Sequence, residues 1–441
     1  MIQICTVGGY NEVGKNMTAI RIGDDVIIAD MGVDMDKYIK VQEEREGLEK
    51  VSRKEMIHSG AVPDDSKINN WKHNVRAIVC THAHLDHIAA IPYLASKYNC
   101  SILGTPFTIE IIKRICRDNK IRLPNHFKQL NVNDTYPISK DIKIKFINVT
   151  HSVVQTVLLG IEHKEGTVVY ANDFKFDMSP TLGPKSDPEK LKKLNNVRCL
   201  IVDSVYSKKE GKMPSESVPR VMLQDILKGV YSQGNAIIVT TFASHLARLK
   251  SIIDFGKQLN RKIVFLGRSL HKYTDAAEKL KIVEFSKDGE SYTFRNQVDK
   301  FLKELNKNRD KYLVVVTGHQ GEPKAVLSRI VNGETPFNLI HNDIVIIASN
   351  VIPTRNNINA RGVLDNKIRK NGVRLFTGIH SSGHCAKEDL RMLIETLQPE
   401  HIIPAHAPRD MQEGLFDLAK EMGYKEEKVH MMSNGDVLEL G

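Results

Sequence analysis

The sequence predicts an α/β protein of two domains, one inserted into the other. Short apolar strands alternate with polar segments through the first 203 residues, and a regular alternation of strands and helices begins after them. At 441 residues the chain exceeds the roughly 250–300 residues at which a single hydrophobic core stops growing. The predicted domains are 1–203 together with 376–441, and 204–375.

The first domain is predicted from apolar runs of strand length that end in polar residues. Residues 35–74 are polar and irregular, and we expect an ordered insertion there rather than a linker. The predicted strands are Val26–Asp30, Ala77–Thr81, Ile142–Thr150, Thr167–Asp173 and Val197–Asp203. The pattern resumes near residue 375 with a strand, a helix and a strand at Val373–Thr377, Ala386–Leu397 and His401–Pro404.

The inserted domain is predicted as a parallel, Rossmann-like sheet, because its strands are separated by helical stretches. One of these stretches, Ser244–Leu259, has apolar residues at helical spacing. No G-x-G-x-x-G loop follows a strand, so dinucleotide binding has no support. The predicted strands are Ala236–Thr241, Lys262–Leu266, Leu313–Thr317 and Ile344–Ala348.

The net charge of +10 is distributed unevenly along the chain. Residues 204–375 contain 29 Lys and Arg against 16 Asp and Glu, a net +13, whereas the remainder carries −3. Such asymmetry is typical of a surface that binds a polyanion. The alternative is a solvated basic face that has no partner.

Composition also indicates where the protein works. No apolar run reaches the about 18 residues that a membrane helix needs, and the first residues lack the basic start of a signal peptide. Six cysteines occur without a C-x-x-C pair, and Cys80 and Cys199 lie within apolar strands. We therefore expect a reduced, cytoplasmic protein that has no membrane partner.

The strongest motif is a cluster of metal-ligand residues directly after a predicted strand. It contains His82, His84, Asp86 and His87, three imidazoles and a carboxylate within six residues. His82 and His84 alternate on one face, while Asp86 and His87 turn the corner, so one segment can serve two neighbouring ions. The alternative is a chance group of exposed histidines, which this spacing disfavours.

Four side chains are too few for two ions, and distant strand ends supply candidates for the rest. His151, Asp173 and His406 each follow an apolar strand, and Asp30 closes another. Each alone is more often an ordinary polar residue at a strand end. Taken together, their order along the chain is similar to that of the metallo-β-lactamase motif.

This set of residues resembles the metallo-β-lactamase superfamily, which implies an αββα sandwich. The resemblance implies that His82, His84 and His151 hold one ion, and that Asp86, His87 and His406 hold the other. It also implies that Asp173 bridges the ions and that Asp30 orients a ligand from behind. Imidazole-rich ligation suits two Zn²⁺ per chain, and Mn²⁺ is the alternative.

The metal site does not choose the substrate, because the same ion pair hydrolyses lactams, lactones, thioesters or phosphodiesters. The basic insertion points to a phosphate backbone, and it resembles the β-CASP domain of nucleic-acid-processing enzymes. By this resemblance, Asp203, His384 and His406 match three β-CASP motifs. Asp203 would orient His384, which would protonate the departing O3′ oxygen as general acid. The predicted catalytic residues are therefore His384, Asp203 and Asp86, the last of which is also an expected metal ligand.

Segments along nearly the whole chain resemble the archaeal ribonuclease J family. They are Gly8-Gly9, Glu12-Val13-Gly14-Lys15-Asn16, Thr241-Phe242-Ala243-Ser244, Gly267-Arg268-Ser269, Gly318-His319-Gln320-Gly321-Glu322-Pro323 and Ser382-Gly383-His384. The resemblance implies a 5′-to-3′ exoribonuclease that prefers 5′-monophosphate ends and releases nucleoside 5′-monophosphates during RNA decay and maturation. The implied substrate-binding residues are His380, Ser381, Ser382, Gly383, His384, Cys385, Arg268, Ser244 and His245.

Several alternatives stay open at this point. The first is a sequence- or structure-specific endoribonuclease of the β-CASP group, and the second is a small-molecule metallo-hydrolase. A non-catalytic RNA-binding protein is a third, disfavoured because every expected ligand is present. Single-stranded RNA is the expected partner, and a monomer and a homodimer are both compatible with the sequence.

Overall fold

The computed structural model describes residues 1–44, 51–352 and 354–441, which separate into two units. Unit 1 contains Met1–Met178, Pro184–Met213 and Gly383–Gly441, and unit 2 contains Ser179–Gly183 and Pro214–Ser382. The boundaries therefore lie after Met213 and Ser382 rather than after residues 203 and 375. One reason is that the backbone N–H of Met213 donates to the buried Asp389 of unit 1 at 2.8 Å.

Unit 1 has two mixed sheets. In the first, β1, β2 and β3 form an antiparallel meander, and β3 to β6 run parallel. Its order is β19-β1-β2-β3-β4-β5-β6, where the strands are β1 (Ile2–Gly8), β2 (Met17–Ile22), β3 (Asp25–Ala29), β4 (Val75–Val79), β5 (Ser101–Gly104), β6 (Phe127–Gln129) and β19 (Val437–Leu440).

The second sheet of unit 1 contributes the other half of the sandwich. Its order is β18-β11-β10-β9-β8-β7, with strands β7 (Thr135–Pro137), β8 (Lys143–Asn148), β9 (Val157–His163), β10 (Gly166–Ala171), β11 (Val197–Asp203) and β18 (His401–Ala405). Apolar side chains of both sheets, such as Ile4, Ile27, Phe146 and Ile201, form one buried cluster between them.

Helices cover the outer faces of this sandwich. A second apolar cluster joins the outward side chains of β10 and β11 to helices near the end of the chain, including Leu200, Leu393 and Leu415. The helices of unit 1 are α1 (Met35–Glu44), α2 (Arg53–His58), α3 (Leu85–Ile88), α4 (Ile91–Leu94), α5 (Pro106–Asp118), α6 (Pro188–Leu191), α13 (Lys387–Leu397) and α14 (Arg409–Glu421).

One local expectation needs correction. The described parts of segment 35–74 are not irregular, because they contain α1, α2 and a run of 3-10 turns at Asp65–Asn74. The short helix α2 begins with a reciprocal capping box between Ser52 and Glu55, a signal present in the sequence. Residues 45–50 of this segment lie outside the described residues.

Unit 2 is a parallel sheet with helical connections. Its order is β14-β13-β15-β12-β16-β17, every adjacent pair being parallel. The elements are α7 (Ser217–Gly229), β12 (Ile237–Thr240), α8 (Leu246–Gln258), β13 (Lys262–Leu266), α9 (Arg268–Lys279), β14 (Gly289–Tyr292), α10 (Arg295–Lys307), β15 (Tyr312–Val316), α11 (Val326–Val331), β16 (Ile344–Ile347), α12 (Arg355–Lys370) and β17 (Arg374–Phe376). The predicted α/β fold class is confirmed.

The topology of unit 1 brings distant polar residues to one end of the sandwich. Asp30, His82, Asp173, Asp203 and His406 each lie at or just after the carboxyl end of a strand, namely β3, β4, β10, β11 and β18. Sites of α/β sheets lie at this end, where loops rather than strand neighbours surround the side chains. Among the described residues, no helix has the length and apolar character needed to cross a membrane.

Candidate metal centre

Three imidazoles and a carboxylate of unit 1 form a first group of ligand atoms. His84 Nδ1 lies 3.1 Å from both His82 Nε2 and His151 Nε2. Asp173 Oδ2 lies 3.5 Å from His82 Nε2 and 3.6 Å from His151 Nε2. Ligands about 2.0–2.1 Å from a tetrahedral cation are about 3.3–3.4 Å apart, so this spacing suits one ion.

A second group lies on the other side of Asp173. His87 Nε2 is 3.3 Å from Asp173 Oδ2 and 3.6 Å from Asp86 Oδ2. His406 Nε2 is 3.6 Å from Asp173 Oδ1 and 3.8 Å from Asp86 Oδ2. Both groups meet the geometric requirement for holding a cation, and Asp173 belongs to each of them.

The carboxylate of Asp173 shows why this arrangement fits a metal. Neither of its oxygens has a hydrogen-bond partner among the described residues, although the side chain is buried. A buried carboxylate that lacks hydrogen bonds is costly unless a cation compensates its charge. Burial alone would raise the pKa of Asp173, but the imidazoles of His406, His87 and His384 outweigh it and hold that pKa well below its usual value. The residues therefore fit a bound metal.

The imidazoles of the first group are held in the form that binds metal. Burial lowers the pKa of His82, His84 and His151 well below the ordinary value, and the neighbouring rings add to the effect for each. Metals bind the neutral imidazole, so these three rings need not lose a proton first.

The backbone at the centre adopts an uncommon conformation. Asp30, Asp173 and His406 have φ angles of 58°, 55° and 57°, in the left-handed region that non-glycine residues rarely occupy. Each residue comes just after a strand, where the chain turns away from the sheet. Such conformations cost on the order of 1–3 kcal/mol each and cluster at functional sites. Here the strained turns point three site residues out of their strands.

Other residues orient the ligand rings from behind. Asp30 Oδ2 lies 2.7 Å from His87 Nδ1, and its other oxygen accepts from the backbone N–H of Thr81 at 2.8 Å. His151 Nδ1 donates to the carbonyl of Gly383 at 2.8 Å. These bonds place the ring proton on Nδ1 and leave Nε2 for a metal.

Sequence reasoning missed the role of Asn16. Its side-chain oxygen lies 2.9 Å from His406 Nδ1, and its amide donates to the carbonyl of Asp86 at 3.1 Å. Asn16 therefore orients one residue of the second group and supports the backbone of another. A signal was available, because Asn16 ends one of the segments that resemble ribonuclease J.

The structure brings Asp203 and His384 together beside the ligands. Asp203 Oδ2 lies 2.7 Å from His384 Nδ1, and Asp203 Oδ1 accepts from the backbone N–H of Val205 at 2.9 Å. His384 Nε2 lies 3.8 Å from Asp173 Oδ2. Burial disfavours the charged ring, but Asp173 and Asp203 outweigh it and raise the pKa of His384 to about 9. The ring of Tyr206, which the sequence did not single out, lies 6.1 Å from that of His384.

The other expected substrate-binding residues fall into two groups. Arg268 is exposed at the start of α9, and His380 is partly exposed. Ser244, Ser381, Ser382 and Cys385 are buried.

Three of the expected contacts receive no support from their side chains. The hydroxyl of Ser381 donates to the carbonyl of Pro214. Cys385 is 1% exposed, and its thiol faces the carbonyl of Asp203 at 3.9 Å. His245 is 2% exposed and lies 3.3 Å from Glu216, so its ring serves the interior of unit 2 rather than RNA directly.

A glycine next to the second ligand group gives a first test of this geometry. A Cβ at Gly32 would lie 1.6 Å from the carbonyl oxygen of Asp86 and 2.5 Å from the backbone nitrogen of His87. Gly32→Ala must therefore displace the turn that carries both ligands. We expect a loss of about 1–3 kcal/mol in the free energy of unfolding, as for other overpacked sites, and reduced metal content. Denaturant unfolding and elemental analysis measure the two effects.

The matched control is Gly362→Ala in α12, where an added Cβ meets no heavy atom within 4 Å. That change should leave metal content unaltered and stabilise the protein by about 0.5–1 kcal/mol, since alanine favours helices. A Gly32→Ala variant with the stability and metal content of the unchanged protein would contradict the described turn.

Comparison with known families covers most of the chain. The profile described as "Beta-lactamase superfamily domain" matches residues 62–226, and "Ribonuclease J, beta-CASP domain" matches residues 234–366. "Zn-dependent metallo-hydrolase RNA specificity domain" matches residues 373–432.

Full-length relatives give the same picture. The chain is 39% identical to a ribonuclease J of Methanocaldococcus jannaschii over 99% of this chain and 98% of that protein. It is 40% identical to a ribonuclease J of Pyrococcus abyssi over 100% of this chain and 97% of that protein. A ribonuclease J2 of Bacillus subtilis shares 28% identity over 100% of this chain and 75% of that protein.

A solved structure described as a protein of unknown function from Enterococcus faecalis V583 shares the fold. The TM-score is 0.64 at 16% identity, with 99% of each chain covered.

Proposed function

The chain belongs to the ribonuclease J family and is a metal-dependent ribonuclease, and from that premise we propose that it is a zinc-dependent 5′-to-3′ exonuclease acting on single-stranded RNA. It would prefer 5′-monophosphate ends and release nucleoside 5′-monophosphates. The observation that carries the proposal is the Asp203–His384 pair beside Asp173, because it adds an acid to a metal centre suited to hydrolysis.

Two cations would occupy the two ligand groups, with Asp173 shared between them. His82, His84 and His151 would hold one cation, and Asp86, His87 and His406 the other. When bound, such a pair supplies Lewis acidity and an activated water for in-line displacement at phosphorus. Five imidazoles among the other six ligands support zinc, and the carboxylates of Asp86 and Asp173 leave manganese as the alternative.

The side chain of His384, oriented by Asp203, would protonate the leaving group of the reaction. Asp203 holds the Nδ1 proton of His384, so Nε2 of that ring is the atom that faces Asp173 and the ligand groups. A proton on Nε2 would go to the O3′ oxygen as the P–O bond breaks. The raised pKa of His384 keeps the ring protonated at neutral pH, and a cation bound to Asp173 would lower that pKa again toward neutrality.

Recognition of the 5′ end is assigned to the Ser382–His384 turn. The backbone N–H groups of this turn and the hydroxyl of Ser382 can donate hydrogen bonds to a phosphate, so that no additional Lys or Arg side chain is required. Loss of the Ser382 hydroxyl would cost about 1.5–3 kcal/mol if it bonds a charged phosphate oxygen.

Digestion of a long single-stranded RNA that carries a labelled 5′ end tests the proposal. The expected label-bearing product is a mononucleotide, formed faster from a 5′-monophosphate end than from a triphosphate or hydroxyl end, and absent after chelation. Labelled fragments of intermediate length would instead indicate the endonuclease. Failure to cut any RNA, together with metal-dependent hydrolysis of a lactone or thioester, would favour a small-molecule hydrolase.

The basic segment 204–375 leads to a prediction about RNA affinity. We expect the association constant for RNA to fall steeply as the salt concentration rises. The slope of log K against the logarithm of the salt concentration should become shallower by about one for each phosphate contact that is removed. Arg268→Glu and Lys272→Glu on α9 should weaken binding at all RNA sequences. Binding titrations between low and moderate salt measure this.

Lys143→Glu, at an exposed position of β8 in unit 1, is the matched charge reversal. It should leave affinity and salt slope nearly unaltered. Equal losses from the three substitutions, or a flat salt response, would remove the proposed role of the basic segment.

Two further parts of the proposal concern setting and assembly. A reducing cytoplasmic setting is part of the proposal, and six cysteines outside disulfides are compatible with it. The sequence is compatible with both a monomer and a homodimer, and light scattering of the purified protein distinguishes them.

A further inference from the structure

A buried arginine of unit 2 is the centre of a hydrogen-bond network. Arg248, on α8, is 0% exposed. Its Nε and Nη2 donate to Glu216 Oε1 and Oε2 at 2.6 and 2.7 Å, a two-pronged contact. Its Nη1 donates to the carbonyls of Ala348 at 2.6 Å and Ile379 at 3.2 Å. A charged side chain with no exposure must be this fully paired to be tolerated.

The network joins segments that are far apart in sequence. Glu216 precedes α7, Ala348 follows β16, and Ile379 lies in the segment after β17. Burial alone would raise the pKa of Glu216, but His245 and Arg248 outweigh it and hold that pKa well below its usual value. The carboxylate therefore stays ionised, and the planar guanidinium has a permanent partner on one side.

On its other side the guanidinium reaches the segment that leads to the phosphate-binding turn. Arg248 Nη1 lies 3.4 Å from His380 Nδ1. A guanidinium can only donate, so Nδ1 accepts, and the neutral ring carries its proton on Nε2. The Ser381 hydroxyl donates to the carbonyl of Pro214. Pro214 lies two residues before Glu216, so the segment that contains Ile379, His380 and Ser381 is also held by the segment that contains Glu216. Ser382 and Gly383 follow directly in the chain.

We propose that Arg248 is a positioning residue for RNA end recognition: it fixes the backbone of Ile379–Ser382 and the tautomer of His380, so that the following turn is preformed for a 5′-phosphate. This inference rests on the proposed function, because it assigns the turn to phosphate binding. Its basis is the placement of two Arg248 contacts, on Ile379 and His380, immediately before Ser382. Preformed hydrogen-bond donors bind more tightly because less ordering is required on binding.

A merely stabilising role is the competing explanation, and the same unit provides a control for it. Arg261 is also buried, at 6% exposure, and it too donates to several backbone carbonyls. Its Nη1 contacts the carbonyls of Asn235 and Tyr312, each at 3.0 Å, at the amino ends of β12 and β15. Arg261 therefore resembles Arg248 in burial and in donating to backbone carbonyls, although only Arg248 forms a two-pronged contact with Glu216. Arg261 lies at the start of the strands, whereas Arg248 contacts Ala348 at the end of β16.

The experiment compares Arg248→Met and Arg248→Lys with Arg261→Met in the full-length, metal-loaded protein. Arg248→Lys keeps the positive charge but cannot form the two-pronged contact of the guanidinium with Glu216. It therefore remains informative if Arg248→Met does not fold. Hydrogen exchange should become faster at residues 379–383 in both Arg248 variants, beyond any general change seen in Arg261→Met. Binding of adenosine 5′-monophosphate, used as the probe, should weaken at least about tenfold, as when a hydrogen bond to a charged group is lost. Metal content should stay unaltered.

The outcomes separate this inference from the proposed function. If the unchanged protein binds adenosine 5′-monophosphate no better than adenosine, end recognition itself is wrong. If it binds the nucleotide, and the Arg248 variants bind it equally well or lose no more than Arg261→Met, then Arg248 is only structural. Faster exchange confined to residues 379–383, together with weakened nucleotide binding, supports the positioning role.

Discussion

Replacing Asp86 or His406 with alanine is expected to abolish RNA hydrolysis and to lower the metal content from about two ions per chain to about one. Each side chain contributes one of the four atoms of the second ligand group, and three atoms remain when it is removed. Loss of an outer hydrogen-bond partner alone typically costs about 10–100-fold in affinity or activity, so loss of a ligand should cost at least that. Elemental analysis and hydrolysis of a labelled RNA measure the two effects.

The control for this prediction is a buried carboxylate away from the site. Asp65 is 6% exposed and pairs with Lys97 at 3.0 Å in unit 1. Asp65→Ala should therefore lower stability while leaving metal content and turnover per folded molecule unaltered. Full hydrolysis after extensive chelation, or in the Asp86→Ala and His406→Ala variants, would show that the centre is not the catalyst.

Replacing His384 with alanine is expected to lower the catalytic rate by about 10²–10⁴-fold while both ions stay bound. The ring lies outside the two groups of four ligand atoms, and its Nδ1 is taken by Asp203. The rate should fall because no group remains to protonate the leaving O3′ oxygen. Single-turnover rates at saturating RNA, with metal analysis of the same samples, check the prediction.

Asp203→Asn provides the second half of this test. It removes the charge that holds the His384 ring while keeping an oxygen able to accept from Val205. Because both residues act through one imidazole, the double variant should be little worse than either single variant. Additive losses would mean that the two residues act separately.

The metal analysis also decides between two roles for His384. Asp173, Asp203 and His384 have ligand atoms close enough to hold a cation themselves. If His384→Ala loses an ion, the ring is a ligand, and the acid must be sought elsewhere. If both ions remain bound and only the rate falls, the result supports His384 as the general acid and Asp203 as the residue that orients it.

The fold could be predicted well from local patterns. The predicted strands Val197–Asp203 and Lys262–Leu266 have the bounds seen in the structure, and the predicted helix Ser244–Leu259 is longer than α8 by three residues. Buried parallel strands can be recognised in a sequence as apolar runs, because both of their faces are covered. Residues 35–74 were harder, since α1 and α2 are short and polar.

The candidate site was predicted in part. The residues of both ligand groups were all named from the sequence, because strand ends and the His82–His87 spacing are local features. Asn16 and Tyr206 were not assigned a role, and His245 was expected to face RNA but is buried. Burial of a polar side chain depends on neighbours from other segments, which no local pattern records.

The sequence by itself determined which polar residues follow the strands and where positive charge accumulates, and therefore which side chains were candidates for binding metal and a polyanion. Only the tertiary structure decided that His84 presents Nδ1 while His82 presents Nε2, and that Asp203 holds His384 through Nδ1 of the ring, at 2.7 Å. It also placed Arg248 between Glu216 and Ile379. The physical reason is that strand and helix periodicity are local properties of the backbone, whereas ring orientation and ion pairing are set by how sheets and loops pack together.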